Sequence, residues 1–214
     1  MADVAAAEVK RLRDETGAGM MDSKRALTES KGDFDKAKDW LRAKGLARAA
    51  GKAGRATNEG AVEAYVHSSG GIAKQGALVE LLCESDFVAK THDFKALAKE
   101  LALQVVGASP AYVRREDVPG DVLERERAVY RESVKDKPDN IIERILEGKL
   151  NDFYARTCLL EQPWVKDDKR RVRDLITDAI AKLGENITVA HFARFAVGED
   201  ATTAGDGALP PSPA

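Results

Sequence analysis

Apolar residues recur with two different periods along this chain, and the points where the period changes restrict the fold more than any other feature. Val4 and Ala5 begin a helical spacing that continues through Val9 and Leu12, and a spacing of three to four residues later links Phe34, Ala37 and Leu41 with Trp40 beside them. Such spacing lines up one face of a helix. From Val62 the pattern becomes strict alternation, with Val62, Ala64 and Val66 on one side, a turn at Ser68 to Gly71, and a second run from Ala77 to Cys83. Helical spacing returns at Phe94, Leu97, Ala98, Leu101 and Val105 and continues through charged stretches to Leu183. Strand chemistry closes the chain at Ile187 to Val197 with Val189, Phe192 and Phe195. Helices, a hairpin, more helices and a late strand make an α+β fold with a small antiparallel sheet of about three strands, the last strand joining the first two.

Turn chemistry sets the expected boundaries. A helix from Asp3 to Arg13 stops at Thr16-Gly17-Ala18-Gly19, a second opens at Met20 and Met21 with Asp22 and Ser23 near its start and ends at Gly32, and Asp33 caps a third that stops at Gly45. The expected organisation is a three-helix bundle over 1–45, a basic linker over 46–58, an α+β core over 59–199 and a disordered tail over 200–214. In the core, helices are expected at about Asp121 to Lys135, Asn140 to Leu160 and Lys166 to Leu183, the last closed by Gly184. The tail is rich in Gly, Pro, Thr and Ala and has few large apolar groups to bury.

Charge and motif content exclude several function classes. Lys and Arg total 34 against 36 Asp and Glu, so no global field holds a polyanion. Arg42, Lys44, Arg48, Lys52 and Arg55 nevertheless form a run of cations with no acid among them, and RNA binding through this run is the alternative function. It lacks interleaved aromatics for base stacking. A phosphate loop fails on spacing, with five residues between Gly45 and Gly51-Lys52 and Ala53 in the hydroxyl position. His67, His92 and His191 have no ligand-spaced partner, Cys83 and Cys158 are isolated, and no Gly-x-Ser-x-Gly elbow occurs. No metal, cofactor or covalent chemistry is expected. The first residues lack the basic and apolar segments of a signal peptide, and no run reaches the length of a membrane span, so a cytoplasmic protein is expected.

Two places resist a purely structural reading. Met20 and Met21 are adjacent at a helix start and point about 100° apart, so one of them faces away from a small core. At Cys83-Glu84-Ser85-Asp86-Phe87-Val88-Ala89-Lys90 an apolar strand runs into polar residues. Pattern alone favours Phe87 tucked into the chain's own core over an exposed wedge.

At these places the chain resembles the bacterial elongation factor Ts family. The likeness spans Thr16-Gly17-Ala18-Gly19-Met20-Met21-Asp22, Gly32-Asp33, Ser85-Asp86-Phe87-Val88-Ala89-Lys90, Leu159-Leu160-Glu161-Gln162-Pro163-Trp164-Val165-Lys166-Asp167 and Gly184-Glu185-Asn186-Ile187, from near Val4 to about Gly198. The resemblance implies a ubiquitin-associated-like bundle ahead of an α+β core, in the short form with one core unit. It implies nucleotide exchange on elongation factor Tu, with binding to the GDP-bound and nucleotide-free partner. Ser85, Asp86, Phe87 and Val88 fall on the motif that disturbs the partner's magnesium site, and Met20 and Met21 on the contact to its GTPase domain. Ser85 replaces the family's usual Thr, and Trp164 stands where Phe is common and is expected to fill a core site. A homodimer through the Ile187 to Val197 strand would be non-covalent, because that strand has no cysteine.

Overall fold

In the computed structural model, which describes residues 4–136 and 138–205, the first three helices are α1 (Ala6–Thr16), α2 (Met20–Glu29) and α3 (Phe34–Ala50). Local chemistry explains their ends. Gly17 takes a left-handed φ of 68° and closes α1 on the Arg13 carbonyl. The Asp33 carboxylate accepts the Lys36 amide at 3.1 Å and starts α3. Val9, Leu12, Ala26, Leu27 and Ala37 form a small core of their own, with Phe34, Trp40 and Leu41 packed against it.

α3 does not stop at Gly45 but runs on to Ala50. Gly45 is buried inside the helix, and a Cβ built there would lie 3.5 Å from the Ala181 Cβ of α8 (Val172–Leu183). This glycine therefore lies inside the helix against α8, with room for an ordinary Cβ contact, rather than terminating it, and the expected linker begins as helix.

Two strands, β1 (Glu59–Ser69) and β2 (Ile72–Cys83), form the expected hairpin. Gly70 and Gly71 both have positive φ, at 61° and 81°. Two left-handed residues give a tight turn whose twist matches that of the strands. After β2 come the short α4 (Asp86–Ala89), α5 (His92–Ala108), α6 (Gly120–Glu132) and α7 (Asp139–Thr157). β3 (Pro163–Trp164) and β4 (Asp167–Arg171) form a separate two-stranded ribbon before α8. The expected helix from Lys166 is thus a turn and strand up to Arg171, because Lys166 to Arg171 are all charged and offer no apolar face. Trp164 is only partly buried in this ribbon, with Lys166 and Arg170 near its ring, instead of filling the core.

The main sheet has four strands in the order β1-β2-β5-β6, where β5 is Ile187–Ala196 and β6 is Thr202–Gly205. All pairings are antiparallel. β5 joins β2 as expected, while β6 adds a fourth strand where tail was expected. The rest of that tail, 206–214, lies outside the described residues. One face of the sheet is sealed by α5 and α8: Val79, Leu81, Phe192 and Val189 meet Phe94, Leu101, Val105, Ile176 and Ile180. A bulge shifts the register so that Glu80 opposes His191 while Leu81 opposes Val189. It brings Val189 and Phe192, three residues apart, onto one face and leaves Phe195 on the other. The opposite face exposes Val62, Val66, Leu78 and Phe195. No described helix is long and apolar enough to cross a membrane.

Candidate functional site

At the end of β2 the chain leaves the sheet through the polar residues Glu84, Ser85 and Asp86. Pairing with both neighbours stops at Cys83, opposite Glu59 on one side and Ile187 on the other. The next amides therefore need other acceptors. One carboxylate supplies them: Glu185 accepts the Glu84 amide at 3.1 Å, the Ser85 amide at 3.0 Å and the Ser85 hydroxyl at 2.6 Å. The reverse exchange also occurs. Glu84 accepts the Asn186 amide at 2.6 Å, and the Asn186 side chain donates to the Arg55 carbonyl at 2.8 Å. That backbone hydrogen bond, ahead of the Arg55 guanidinium, holds the Glu84 carboxyl below the ordinary carboxylate range.

Ser85 is the N-cap of α4, its Oγ accepting the Val88 amide at 3.4 Å. The exit is also tied, since the Thr91 hydroxyl donates to the Val88 carbonyl at 2.7 Å and in turn caps α5. Between these ties α4 presents its side chains in different directions. Ala89 is buried and Val88 packs against the core, whereas Phe87 is 80% exposed. The pattern-based expectation that Phe87 lies in the core is therefore overturned: the single turn of α4 already uses Val88 and Ala89 to face inward, and the neighbouring position points outward. Asp86 receives the Lys90 ammonium at 2.5 Å, which holds its carboxyl below the usual range.

Met20 and Met21 open α2 and are 47% and 75% exposed. The helix start has Gly19 as N-cap and no side-chain cap. Asp22 does not cap it but reaches Lys44 at 2.7 Å and Arg48 at 2.8 Å on α3. Lys44, then Arg48, keeps the Asp22 carboxyl below its ordinary value. Ser23 is fully buried, and its hydroxyl has no hydrogen-bond partner among the described residues.

These ties also change the reading of the basic run. Lys44 and Arg48 hold Asp22, Lys52 donates to the Gly184 carbonyl at the end of α8, and Arg55 faces Glu84. The fifth cation, Arg42, places its charge near the Asp178 carboxylate of α8. Sequence reasoning gave Glu84, Glu185 and Asn186 no role at the site, because the Gly184-Glu185-Asn186 segment reads as a helix stop and a stretch of family likeness, with nothing local to show what its side chains hold. Its partners are about 100 residues away in the chain.

Among the described residues no group of three or more His, Cys, Asp or Glu side chains is placed to hold a metal ion. Both cysteines are buried free thiols, and burial pushes the Cys158 thiol up to about 11 and the Cys83 thiol above its ordinary value.

The chain matches the family profile described as Elongation factor TS over residues 46–199. It is 53% identical over 201 residues to Elongation factor Ts of Anaeromyxobacter dehalogenans, covering 93% of this chain and 90% of that protein. It is 54% identical over 192 residues to Elongation factor Ts of Thermotoga neapolitana, covering 90% and 96%. For Elongation factor Ts of Geotalea uraniireducens the identity is 53% over 198 residues, covering 92% and 90%.

Proposed function

This chain belongs to the elongation factor Ts family of translation elongation factors, and on that premise we propose that it is a guanine-nucleotide exchange factor for elongation factor Tu. The observation that carries the proposal is Phe87: a large apolar side chain, 80% exposed, on a helical turn anchored at both ends. An exposed aromatic on a fixed support favours whichever partner conformation offers it a pocket. Asp86 stands beside it and competes for the polar network around the partner's bound magnesium ion, while Ser85 and Val88 hold the turn. Met20 and Met21 supply a second apolar contact, to the partner's GTPase domain. Reciprocity then requires that a factor favouring the nucleotide-free partner be displaced by nucleotide through the same coupling free energy. No covalent bond changes, and the site of action is the cytoplasm.

Three further readings belong to this proposal. The chain divides at residues 46–58 into a bundle and a core, supported by their separate apolar clusters. A non-covalent homodimer is supported by the open sheet face with Val62, Val66, Leu78 and Phe195. RNA binding through residues 42–55 has less support, because Lys44, Arg48, Lys52 and Arg55 are engaged within the chain.

The test is release of fluorescent GDP from elongation factor Tu in magnesium buffer, with substoichiometric amounts of this protein. Accelerated release with turnover is expected. Binding without acceleration would replace the exchange reading with a holding role, and salt-sensitive retention of RNA without binding to elongation factor Tu would favour the alternative.

A further inference from the structure

We infer that Glu185 is the positioning residue of the Ser85–Val88 turn, a role that rests on the exchange reading above. Glu185 lies between the left-handed Gly184, with φ of 81°, and the buried Asn186, on the segment that enters β5. From there its carboxylate gathers two backbone amides and the hydroxyl of Ser85, at 3.1, 3.0 and 2.6 Å. Hydrogen bonds to an ionised acceptor are shorter and stronger than neutral ones.

Ser85 stands at the centre of the arrangement. Its hydroxyl donates to Glu185 and accepts the Val88 amide, so the orientation of the first turn of α4 depends on where Glu185 holds that oxygen. Phe87 makes little contact with its own fold, so its place in space is set by the backbone of residues 85–88 rather than by packing. A fixed turn loses less conformational freedom on meeting a partner than a mobile one. The clamp is reciprocal, because Glu84 holds the Asn186 amide while Glu185 holds the Glu84 amide. Arg55 and Lys52 attach the segment before β1 to the same corner. The end of β2, the entry to β5 and the end of α3 thus meet where the turn begins.

The test compares Glu185→Ala, Glu185→Gln and Ser85→Ala with Phe87→Ala in full-length protein, by GDP release from elongation factor Tu and by amide hydrogen exchange of the free variants. Glu185→Ala is expected to slow release about tenfold, the factor equivalent to ~1.4 kcal/mol, and to speed exchange of the Glu84 and Ser85 amides. Glu185→Gln keeps an acceptor for both amides and recovers most of the rate. The discriminating readout is coupling: once Phe87 is removed, Glu185→Ala should cost almost nothing more, whereas a general structural role would add the same loss in either background. Release at the wild-type rate, or additive losses, would overturn the inference. If Glu185→Ala does not fold, Ser85→Ala carries the same coupling test, losing the 2.6 Å bond to Glu185 together with the Val88 amide cap. If the parent protein itself fails to accelerate release, the exchange reading fails, and unchanged protection of the Glu84 and Ser85 amides in Glu185→Ala would separately remove the positioning role.

Discussion

Replacing Phe87 by alanine separates what this side chain does for the fold from what it does for a partner. Full burial of a phenylalanine is worth ~1.5–3 kcal/mol. With 80% of Phe87 exposed in the free chain, about four-fifths of that, ~1.2–2.4 kcal/mol, remains available to a partner pocket. If that burial is realised only as the partner releases nucleotide, Phe87→Ala slows exchange by a factor of about 8 to about 60. The fold should hardly notice, since surface changes away from special features usually stay within about ±0.5 kcal/mol. The assay is the second-order rate constant for factor-stimulated release of fluorescent GDP, taken together with a urea titration of the free protein. An unchanged rate constant would refute the wedge, and so would a stability loss large enough to explain the slower exchange.

Three further outcomes test the scaffold. Asp22→Asn should lower stability modestly, by about 1 kcal/mol for a pair that stays partly open to solvent. Because Lys44 and Arg48 lower the folded-state pKa of Asp22, its contribution is complete above the unfolded pKa of about 3.9 and fades as pH falls through the folded value. Melting curves of variant and parent should therefore draw together as the pH falls, and a gap that does not narrow with acidification would contradict the ion-pair assignment. Gly60→Ala would place a Cβ 2.2 Å from the Leu81 carbonyl oxygen and should destabilise by ~1–3 kcal/mol. Gly45→Ala meets Ala181 at an ordinary 3.5 Å and should gain up to ~1 kcal/mol of helix propensity, so thermal melting that ranks the two the other way would count against the packing described. Cys83 and Cys158 should react with a thiol reagent only on unfolding, as both are fully buried, and rapid labelling of native protein at pH 8 would show that one of them opens.

Much of the architecture is written in local chemistry. The change from helical to alternating spacing marks the helices and the hairpin, and Gly17, Asp33, Gly70-Gly71 and Gly184 mark their ends. Each of these signals acts over a few residues, through φ angles and neighbouring amides, and needs no distant partner. The same locality explains the failures. Gly45 reads as a stop until α8 is known to lie against it, and Thr202 to Gly205 read as tail until β5 offers an edge.

The candidate site divides in the same way. The residues Ser85 to Val88 and Met20-Met21 stand out in the sequence, through a polar break after a strand and an adjacent pair at a helix start. Their surroundings do not. Whether Phe87 faces inward depends on Val88 and Ala89 occupying the core side of α4, and whether the cations of residues 42–55 are free depends on Asp22, Glu84 and the Gly184 carbonyl. By itself the sequence determined most of the helices, the hairpin and β5, though not β4, β6 or the end of α3, and which residue types stand at the turn. Only the tertiary structure decided that Phe87 is exposed and that Glu185 grips the turn beneath it, because hydrogen bonds between residues 84–85 and 185–186 form only after the sheet has brought the ends of β2 and β5 together.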